Sequence, residues 1–378
     1  MHTSFQHSKD RLLKHFLDFL WHQWSALGVA GQRGGDDDRI IDPESLLLAT
    51  TRFGRYDPRL LDEVIDWLSS NGKRINLQRL RRIHDEWPVA DLRVLAAISG
   101  GLATQSMMRK WITLSAPLPA EAEPEPLFIR FDGSALPIFH KPDPDFLRHG
   151  LLRDPMERRR MSQSPDPSRA ANLLCCLRAL FGVSARAEII AWLLTHESGH
   201  PAAIARDTGY FSKSVQHTLN EMEDSGHIRS RRDGREKIFW IKPGAWDVLI
   251  TWSQPLGFPR WVDWMSVFSA ITTFIDAFDQ PGLDDAPEQV QSIQLRQALD
   301  AAMPALSRAG LAESLTASRK LTGTQLINAI HEDLNKLENT LETASAPRSN
   351  AKPGNRTNSP ISAHAPVVNP RELGHSSA

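Results

Sequence analysis

The chain has 378 residues, 41% of them hydrophobic, and a formal net charge of −1. This length exceeds one typical domain, so we expect two or three folded units. No uninterrupted apolar run approaches the length of a membrane span, and residues 1–10 lack the apolar core of a signal peptide. The two cysteines, Cys175 and Cys176, are adjacent, which argues against a disulfide framework. We therefore expect a cytoplasmic protein without a membrane span.

Residues 1–116 have the pattern of an N-terminal helical domain. Apolar side chains recur at helical spacing over residues 12–20 and again over residues 60–68. The second helix is predicted to stop at the pair Asn71 and Gly72. Residues 31–38, between the two helices, are predicted to form a glycine-rich acidic loop.

A basic segment, residues 75–83, follows that stop signal. A helix, a glycine turn and a basic helix are consistent with a degenerate helix-turn-helix, and equally with two stacked core helices. In the first alternative, Arg79, Arg81 and Arg82 would contact DNA as a second reader.

Three further regions are predicted outside the centre of the chain. Residues 117–168 are rich in proline and are expected to be a linker and an irregular segment, with a short strand at residues 127–131. Residues 249–342 are expected to be helical. Residues 343–378 hold five prolines and no aromatic residue, so they are expected to be a disordered tail.

The central region, residues 169–248, has the most regular pattern. The first of three helices has an apolar face formed by Ile189, Ile190 and Leu193. Pro201 suits the first turn of a short second helix, because the amide proton that proline lacks is not needed there. Gly209 permits a sharp turn, and Ser212 is a competent N-cap for the third helix.

The third helix, residues 212–225, is predicted to bury one stripe and expose the rest. Val215, Leu219 and Met222 form the stripe, and Gly226 is expected to end the helix. The exposed surface carries polar side chains that can reach base edges or phosphates in a major groove. These predicted contact residues are Ser212, Lys213, Ser214, Gln216, His217 and Asn220.

A basic hairpin is predicted after this helix. Residues 227–232 and 235–241 have strand character, and the two-residue turn Asp233-Gly234 matches the twist of a hairpin. Residues 227–242 contain six basic and two acidic side chains, a local balance of +4 in a chain whose total is −1. Such a concentration suits contact with phosphates. The predicted contact residues here are Arg229, Arg231, Arg232, Arg235 and Lys237.

Residues 183–242 resemble the winged helix-turn-helix of bacterial regulators of the MarR and ArsR types. The matching features are the short second helix, the Gly209 turn, the third helix ending at Gly226, and the wing tip followed by Phe239 and Trp240. This resemblance implies a recognition helix in the major groove and a wing near the backbone or minor groove. The flanking regions do not resemble the dimerisation helices of either family.

Motifs of catalytic type are weak. Residues 196–200 match the zinc pattern H-E-x-x-H, but that pattern needs a continuous helix, and Gly199 and Pro201 interrupt it. Gly133-Ser134 with Asp143 and Asp145 resembles a nucleotidyltransferase signature only faintly, because Pro144 separates the acids. The acids at 36–38 could attract a cation or form a solvated loop. We therefore predict no enzyme activity, metal or cofactor.

The C-terminal helical region contains a possible coiled-coil seam. Its apolar residues are spaced alternately by three and four positions. They are Ile327, Ile330, Leu334, Leu337 and Leu341. The seam could pack on its own chain or form a homodimer that presents two recognition helices to a palindromic site.

The predicted fold is therefore mainly α and multi-domain, with a winged helix-turn-helix of three helices and a two-stranded β wing. The predicted function is a transcriptional regulator that binds double-stranded DNA. The alternative is an interaction or adaptor protein that uses its winged helix to hold another protein. Salt dependence of binding to random duplex distinguishes the two, because only phosphate contacts release counterions.

Overall fold

Helices make up most of the chain in the computed structural model, which describes residues 4–31, 38–116, 123–234, 236–249, 258–315 and 320–342. The predicted mainly α class is confirmed. No helix within these ranges is long and apolar enough to cross a membrane. The predicted tail at 343–378 and most of the acidic loop, residues 32–37, lie outside the described residues.

Thirteen α-helices and four short strands are assigned in the described ranges. The helices are Phe5–Ala26 (α1), Pro43–Phe53 (α2), Pro58–Asn71 (α3), Leu77–Glu86 (α4), Leu92–Ala103 (α5), Pro144–Leu147 (α6), Leu173–Phe181 (α7), Ala185–Thr195 (α8), Pro201–Thr208 (α9), Ser212–Asp224 (α10), Trp264–Phe278 (α11), Glu288–Arg308 (α12) and Gly323–Glu342 (α13). The strands are Glu125–Pro126 (β1), Leu151–Leu152 (β2), Arg229–Asp233 (β3) and Glu236–Trp240 (β4). β1 pairs with β2 in parallel, and β3 pairs with β4 in antiparallel fashion.

Side-chain caps set the starts of the N-terminal helices. The carboxylate of Asp42 accepts the backbone N–H groups of the first turn of α2, and Asp57 caps α3 in the same way. Asn76 caps α4 and Asp91 caps α5. Each cap satisfies amide groups that have no partner inside the helix.

The larger hydrophobic core combines both ends of the described chain. It contains the buried faces of α1–α5 and of α11–α13. We call the part of the molecule built around this core the body. In its centre the ring of Phe16 lies 4.9 Å from that of Phe53 and 5.3 Å from that of Phe268. The predicted regions 1–116 and 249–342 therefore share one core.

The predicted C-terminal seam is part of this core. Ile327, Ile330, Leu334 and Leu337 are all at most 1% exposed, because α13 packs against α1 and α12 of the same chain. The side chain of Leu341 lies outside the described residues. The seam therefore packs on its own chain, which is the first of the two alternatives, and these four residues leave no apolar surface for a homodimer.

The described part of the predicted linker, residues 123–168, lies against the body. Leu127, Phe146 and Leu151 are buried in the main core. The strand falls at residues 125–126 and not at 127–131, because the N–H of Ile129 donates to the carbonyl of Arg55 and the chain turns onto the body. Residues 117–122 lie outside the described ranges.

A second hydrophobic cluster is formed, apart from Ile40, by residues 170–246, which we call the module. It contains the buried faces of α7–α10 together with Phe239 of β4. Gly199 and Phe239 exchange two backbone hydrogen bonds of 2.9 Å, so a third extended segment pairs with β4. A Cβ atom at Gly199 would lie 2.3 Å from the Trp192 ring, so this close pairing requires glycine.

Ile40 and Ile41 are neighbours in the chain but belong to different cores. Ile40 is buried in the cluster of the module, whereas Ile41 is buried in the body. The N–H of Ile41 also donates to the carbonyl of Ala171, at the start of the module. Body and module are therefore adjacent at this point.

A buried network of five charged side chains joins the body to the module. Glu44 of α2 is fully buried and accepts hydrogen bonds from Arg79 of α4 at 2.6 Å and from Arg178 of α7 at 2.7 Å. Arg178 also donates to Glu188 of α8, with its Nε at 3.0 Å. Arg79 donates to the carboxylate of Asp42 with two nitrogens.

Backbone contacts extend the network on both sides. The Nε of Arg79 donates to the carbonyl of Thr208, the last residue of α9, at 2.7 Å. Arg178 donates to the carbonyl of Arg74 at 2.8 Å, and the backbone N–H of Asn76 donates to Glu44 at 2.6 Å. Each guanidinium therefore spans the two parts of the molecule.

The prediction that Arg79 contacts DNA, as part of a second helix-turn-helix, is wrong. Its side chain is 2% exposed and is held by two carboxylates and a carbonyl, so it cannot reach a phosphate. The helices α3 and α4 belong to the body core, as the alternative of stacked core helices predicted.

Breaking the network should destabilise the whole fold. In Arg178→Met, the buried carboxylates of Glu44 and Glu188 lose their shared donor, so we expect unfolding to become easier by about 3–5 kcal/mol. The control is Arg186→Met on the neighbouring helix α8, whose partly exposed pair with Glu221 should contribute less than about 1 kcal/mol. Equilibrium denaturant unfolding measures both, and equal losses of stability would contradict the role of the network.

The network should also respond to acid. Burial acts to raise the pKa of Asp42, but the charge and hydrogen bonds of Arg79 outweigh it, and the pKa lies well below its ordinary value. A depressed pKa stabilises the fold above the unfolded-state pKa of about 3.9, and the contribution is lost as pH falls towards the folded-state pKa. The stability difference between wild type and Asp42→Asn should be constant from about pH 7 to 5 and narrow below about pH 4. A stability difference that already narrows near neutral pH would contradict the depressed pKa of Asp42.

Candidate nucleic-acid interface

The turn between α9 and α10 is set by one glycine. Gly209 ends α9 with φ +71°, in the left-handed region that favours glycine. A Cβ atom there would also lie 2.6 Å from Cγ2 of Ile83 on α4. Gly209 therefore both reverses the chain and lets the module approach the body closely.

The start of α10 differs from the prediction by one residue. Phe211 occupies the N-cap, Ser212 is the first helical residue, and no side chain caps this helix. The predicted capping role of Ser212 is therefore wrong. Its hydroxyl makes none of the hydrogen bonds that a cap would provide.

One face of α10 is buried and the other is open, as the spacing predicted. Val215, Leu219 and Met222 pack into the module core. Gln216 is half-buried and donates to the side-chain oxygen of Asn220 at 3.2 Å. The other predicted contact residues of this helix are exposed: Ser212, Lys213, Ser214, His217 and Asn220.

The hairpin of β3 and β4 has two distinct faces. In its register Ser230 is opposite Phe239, and Arg231 is opposite Ile238. Because opposed residues share a face and neighbours along a strand alternate, Arg229 and Arg231 lie on the face opposite the buried Phe239. Arg235 lies outside the described residues.

Arg232 and Lys237 are also opposed, and they share the face of Phe239. Lys237 forms an ion pair with Glu223 of α10, and the hydroxyl of Ser230 donates to the same carboxylate. These two hydrogen bonds hold the pKa of Glu223 below its usual value. Glu223 therefore fastens the hairpin to α10, a role that the sequence pattern did not predict.

Four basic side chains of α10 and the hairpin have no carboxylate partner in the described part of the chain. Lys213, Arg229, Arg231 and Arg232 are exposed and form no ion pair within the described residues. Lys237, in contrast, has its charge neutralised by Glu223. The structure thus separates the predicted cations into a free group and one that holds the hairpin in place.

An aromatic side chain that the sequence pattern did not single out lies beside the start of α10. Phe211 is 65% exposed, and the guanidinium of Arg82 lies 3.9 Å from its ring centroid. Phe211 also lines an open groove of about 600 Å³. The other lining residues are Lys213, Ser214, His217 and Thr218. The sequence feature that could have identified Phe211 is an aromatic residue directly before a polar helix.

The H-E-x-x-H residues have local roles. Helix α8 ends at Thr195, and the ring of His196 stacks on Trp192 at 3.8 Å. The Nδ1 of His200 instead accepts from the N–H of Ala202 at the start of α9. The two imidazoles therefore lie on different elements, and the described residues contain no group of three His, Cys, Asp or Glu side chains that could hold a metal ion.

Removal of the Glu223 carboxylate should loosen the hairpin. In Glu223→Gln the ion pair with Lys237 is abolished, so we expect faster hydrogen exchange of the β3 and β4 amides. The matched control is Glu221→Gln, which removes the same charge from the same helix but breaks only pairs with Arg186 and with His217, neither of which belongs to the hairpin. Equal exchange of the hairpin amides in both variants would show that Glu223 does not fasten it.

Comparison of the chain with protein-family models, with curated protein sequences and with solved structures found no match. Function must therefore be argued from the geometry and charge of the site itself.

Proposed function

We propose that the chain is a transcriptional regulator that binds double-stranded DNA through a winged helix-turn-helix at residues 183–242. The observation that carries the proposal is a group of exposed cations, without carboxylate partners in the described residues, on the hairpin that Lys237 joins to α10. On this hairpin they are Arg229, Arg231 and Arg232. Unpaired guanidinium groups on a two-stranded ribbon suit phosphate oxygens, which they can bind bidentately.

Helix α10 is the proposed recognition helix. Its 13 residues give it a length of about 20 Å, and a major groove about 12 Å wide accepts one helix. Lys213, Ser214 and His217 are on its open face near the N-terminal end, which is the end that contacts base edges in helix-turn-helix proteins. Asn220 lies one turn further along, where its amide is already bonded to Gln216.

The hairpin is the proposed wing, with two kinds of basic residue. Arg229 and Arg231, on the face opposite Phe239, would meet the backbone. Lys237 would act indirectly, because its ion pair with Glu223 holds the wing at a fixed angle to α10. Phosphate contacts from the wing would give affinity, and the open face of α10 would give sequence preference.

One observation favours the adaptor alternative. Leu180 is 63% exposed and Val248 is 86% exposed, and their neighbours Phe181 and Trp246 have ring centroids 6.0 Å apart. An exposed apolar surface of this kind suits a protein partner. The cations of the hairpin do not require such a partner, so DNA is the function that the site supports best.

The proposal predicts a steep salt dependence that depends on the hairpin. Arg229→Gln/Arg231→Gln/Arg232→Gln should make the slope of log affinity against log salt less negative by about 0.9 for each phosphate that is no longer bound, measured on duplex DNA between about 50 and 200 mM salt. The control is Lys14→Gln/Lys141→Gln/Lys320→Gln, which removes three exposed charges outside the module and should leave the slope unchanged.

Two results would reject DNA binding as the function. The first is no binding to any duplex at low salt by the full chain. The second is an equal slope in the hairpin variant and the control variant, since binding would then not depend on this surface.

A further inference from the structure

A second basic surface lies on the body, next to the start of α10. It is formed by the 3-10 helix Gly72–Arg74, the exposed side of α4 and the 3-10 helix Ser106–Leu114. We call it the α4 patch. Its cations are Lys73, Arg81, Arg82, Arg109 and Lys110.

Direct contacts bring these segments together. The ammonium group of Lys110 donates to the carbonyl of Lys73 at 3.2 Å and to that of Ile75 at 2.6 Å. Arg81 donates to the carbonyl of Thr113. Beneath them Met108 and Trp111 are buried, and Gly72 packs against both. The patch is therefore one continuous and well-supported surface.

The charges of the patch are not neutralised. Lys110 and Arg81 donate to carbonyl oxygens, and Arg82 lies over an aromatic ring, so none of these contacts involves a carboxylate. Within the described residues none of the five cations forms an ion pair. The nearest acids along α4 are Asp85, which is exposed, and Glu86, which is paired with Arg308.

The patch is continuous with the proposed recognition helix. Arg82 of the patch lies 3.9 Å from the ring centroid of Phe211, the N-cap residue of α10. Phe211 in turn shares its groove with Lys213 and Ser214 of α10. The close approach of Gly209 to Ile83 fixes this junction from beneath.

We propose that the α4 patch is an accessory phosphate-binding surface, across which the duplex held by α10 continues. The proposal rests on the proposed function and extends it: the body adds contacts that carry no sequence information. The patch would not read a groove as a second helix-turn-helix, because Arg79, which that role required, is buried. Lys73, Arg81 and Arg109 are the exposed cations that would meet the backbone.

The test compares charge-matched variants of the full chain on duplexes of about one and about three helical turns. In Lys73→Gln/Arg81→Gln/Arg109→Gln we expect the slope of log affinity against log salt on the longer duplex to become less negative by about 0.9 for each phosphate that is released. We also expect most of the wild-type gain in affinity from the shorter to the longer duplex to disappear. The control Lys14→Gln/Lys141→Gln/Lys320→Gln should keep both properties.

Two further variants keep the proposal falsifiable. Arg109→Gln alone replaces a side chain that makes no hydrogen bond or ion pair within the described residues, so it tests the patch if the triple variant fails to fold. Met107→Ser/Ile112→Ser removes the exposed apolar side chains of the same segment and should leave DNA affinity unchanged. A decrease in affinity equal to that of the charge variant would show an apolar docking surface and overturn the proposal.

The failure of this inference is distinguishable from the failure of the proposed function. If the hairpin variant weakens binding while Lys73→Gln/Arg81→Gln/Arg109→Gln and Arg109→Gln match the control, the patch proposal is overturned and DNA binding stands. If the wild-type chain binds neither duplex, both are overturned.

Discussion

The position of α10 depends on a buried ion network that belongs to neither part of the molecule alone. Glu44 comes from the body and Arg178 from the module, and both are completely buried. Buried charges are costly to desolvate, so such a network is weak support for stability as such. We expect its value to lie in specificity, because guanidinium groups shared among three carboxylates accept few geometries. Arg79 carries this restraint to the carbonyl of Thr208, immediately before the turn into α10.

Local patterns in the sequence predict the helices of the module well. The stripe of Val215, Leu219 and Met222 could be predicted, because a helix of 3.6 residues per turn places these positions on one side whatever surrounds it. The Gly209 turn and the existence of the hairpin have the same local origin. The predicted hairpin turn is wrong by one residue, because Asp233 pairs with Glu236 and belongs to β3 instead of the turn. The partners of the ion network could not be predicted, because Glu44 and Arg178 are 134 residues apart in sequence. The same limit applies to the core shared by α1 and α11.

Charge in the candidate site shows a second limit of prediction from sequence. A local balance of +4 treats all six cations as equivalent. In the structure Lys237 is paired with Glu223, 14 positions away, whereas Arg82, which was predicted only for the alternative second reader, lies against the N-cap residue of α10. Whether the charge of a basic side chain is neutralised depends on the group that the side chain contacts. A carboxylate cancels its field, while a carbonyl or an aromatic ring positions the side chain and leaves the net charge in place.

The adjacent residues Ile40 and Ile41 have a consequence for cooperativity. One peptide bond connects a side chain buried in the module to a side chain buried in the body. If either core melts, its isoleucine becomes exposed directly beside the isoleucine that is still buried in the other core. Because the ion network spans the same junction, melting of one core would leave buried charges of the other without partners, so we expect the two cores to lose their structure together. Body and module should therefore unfold as one calorimetric unit although they have separate hydrophobic interiors.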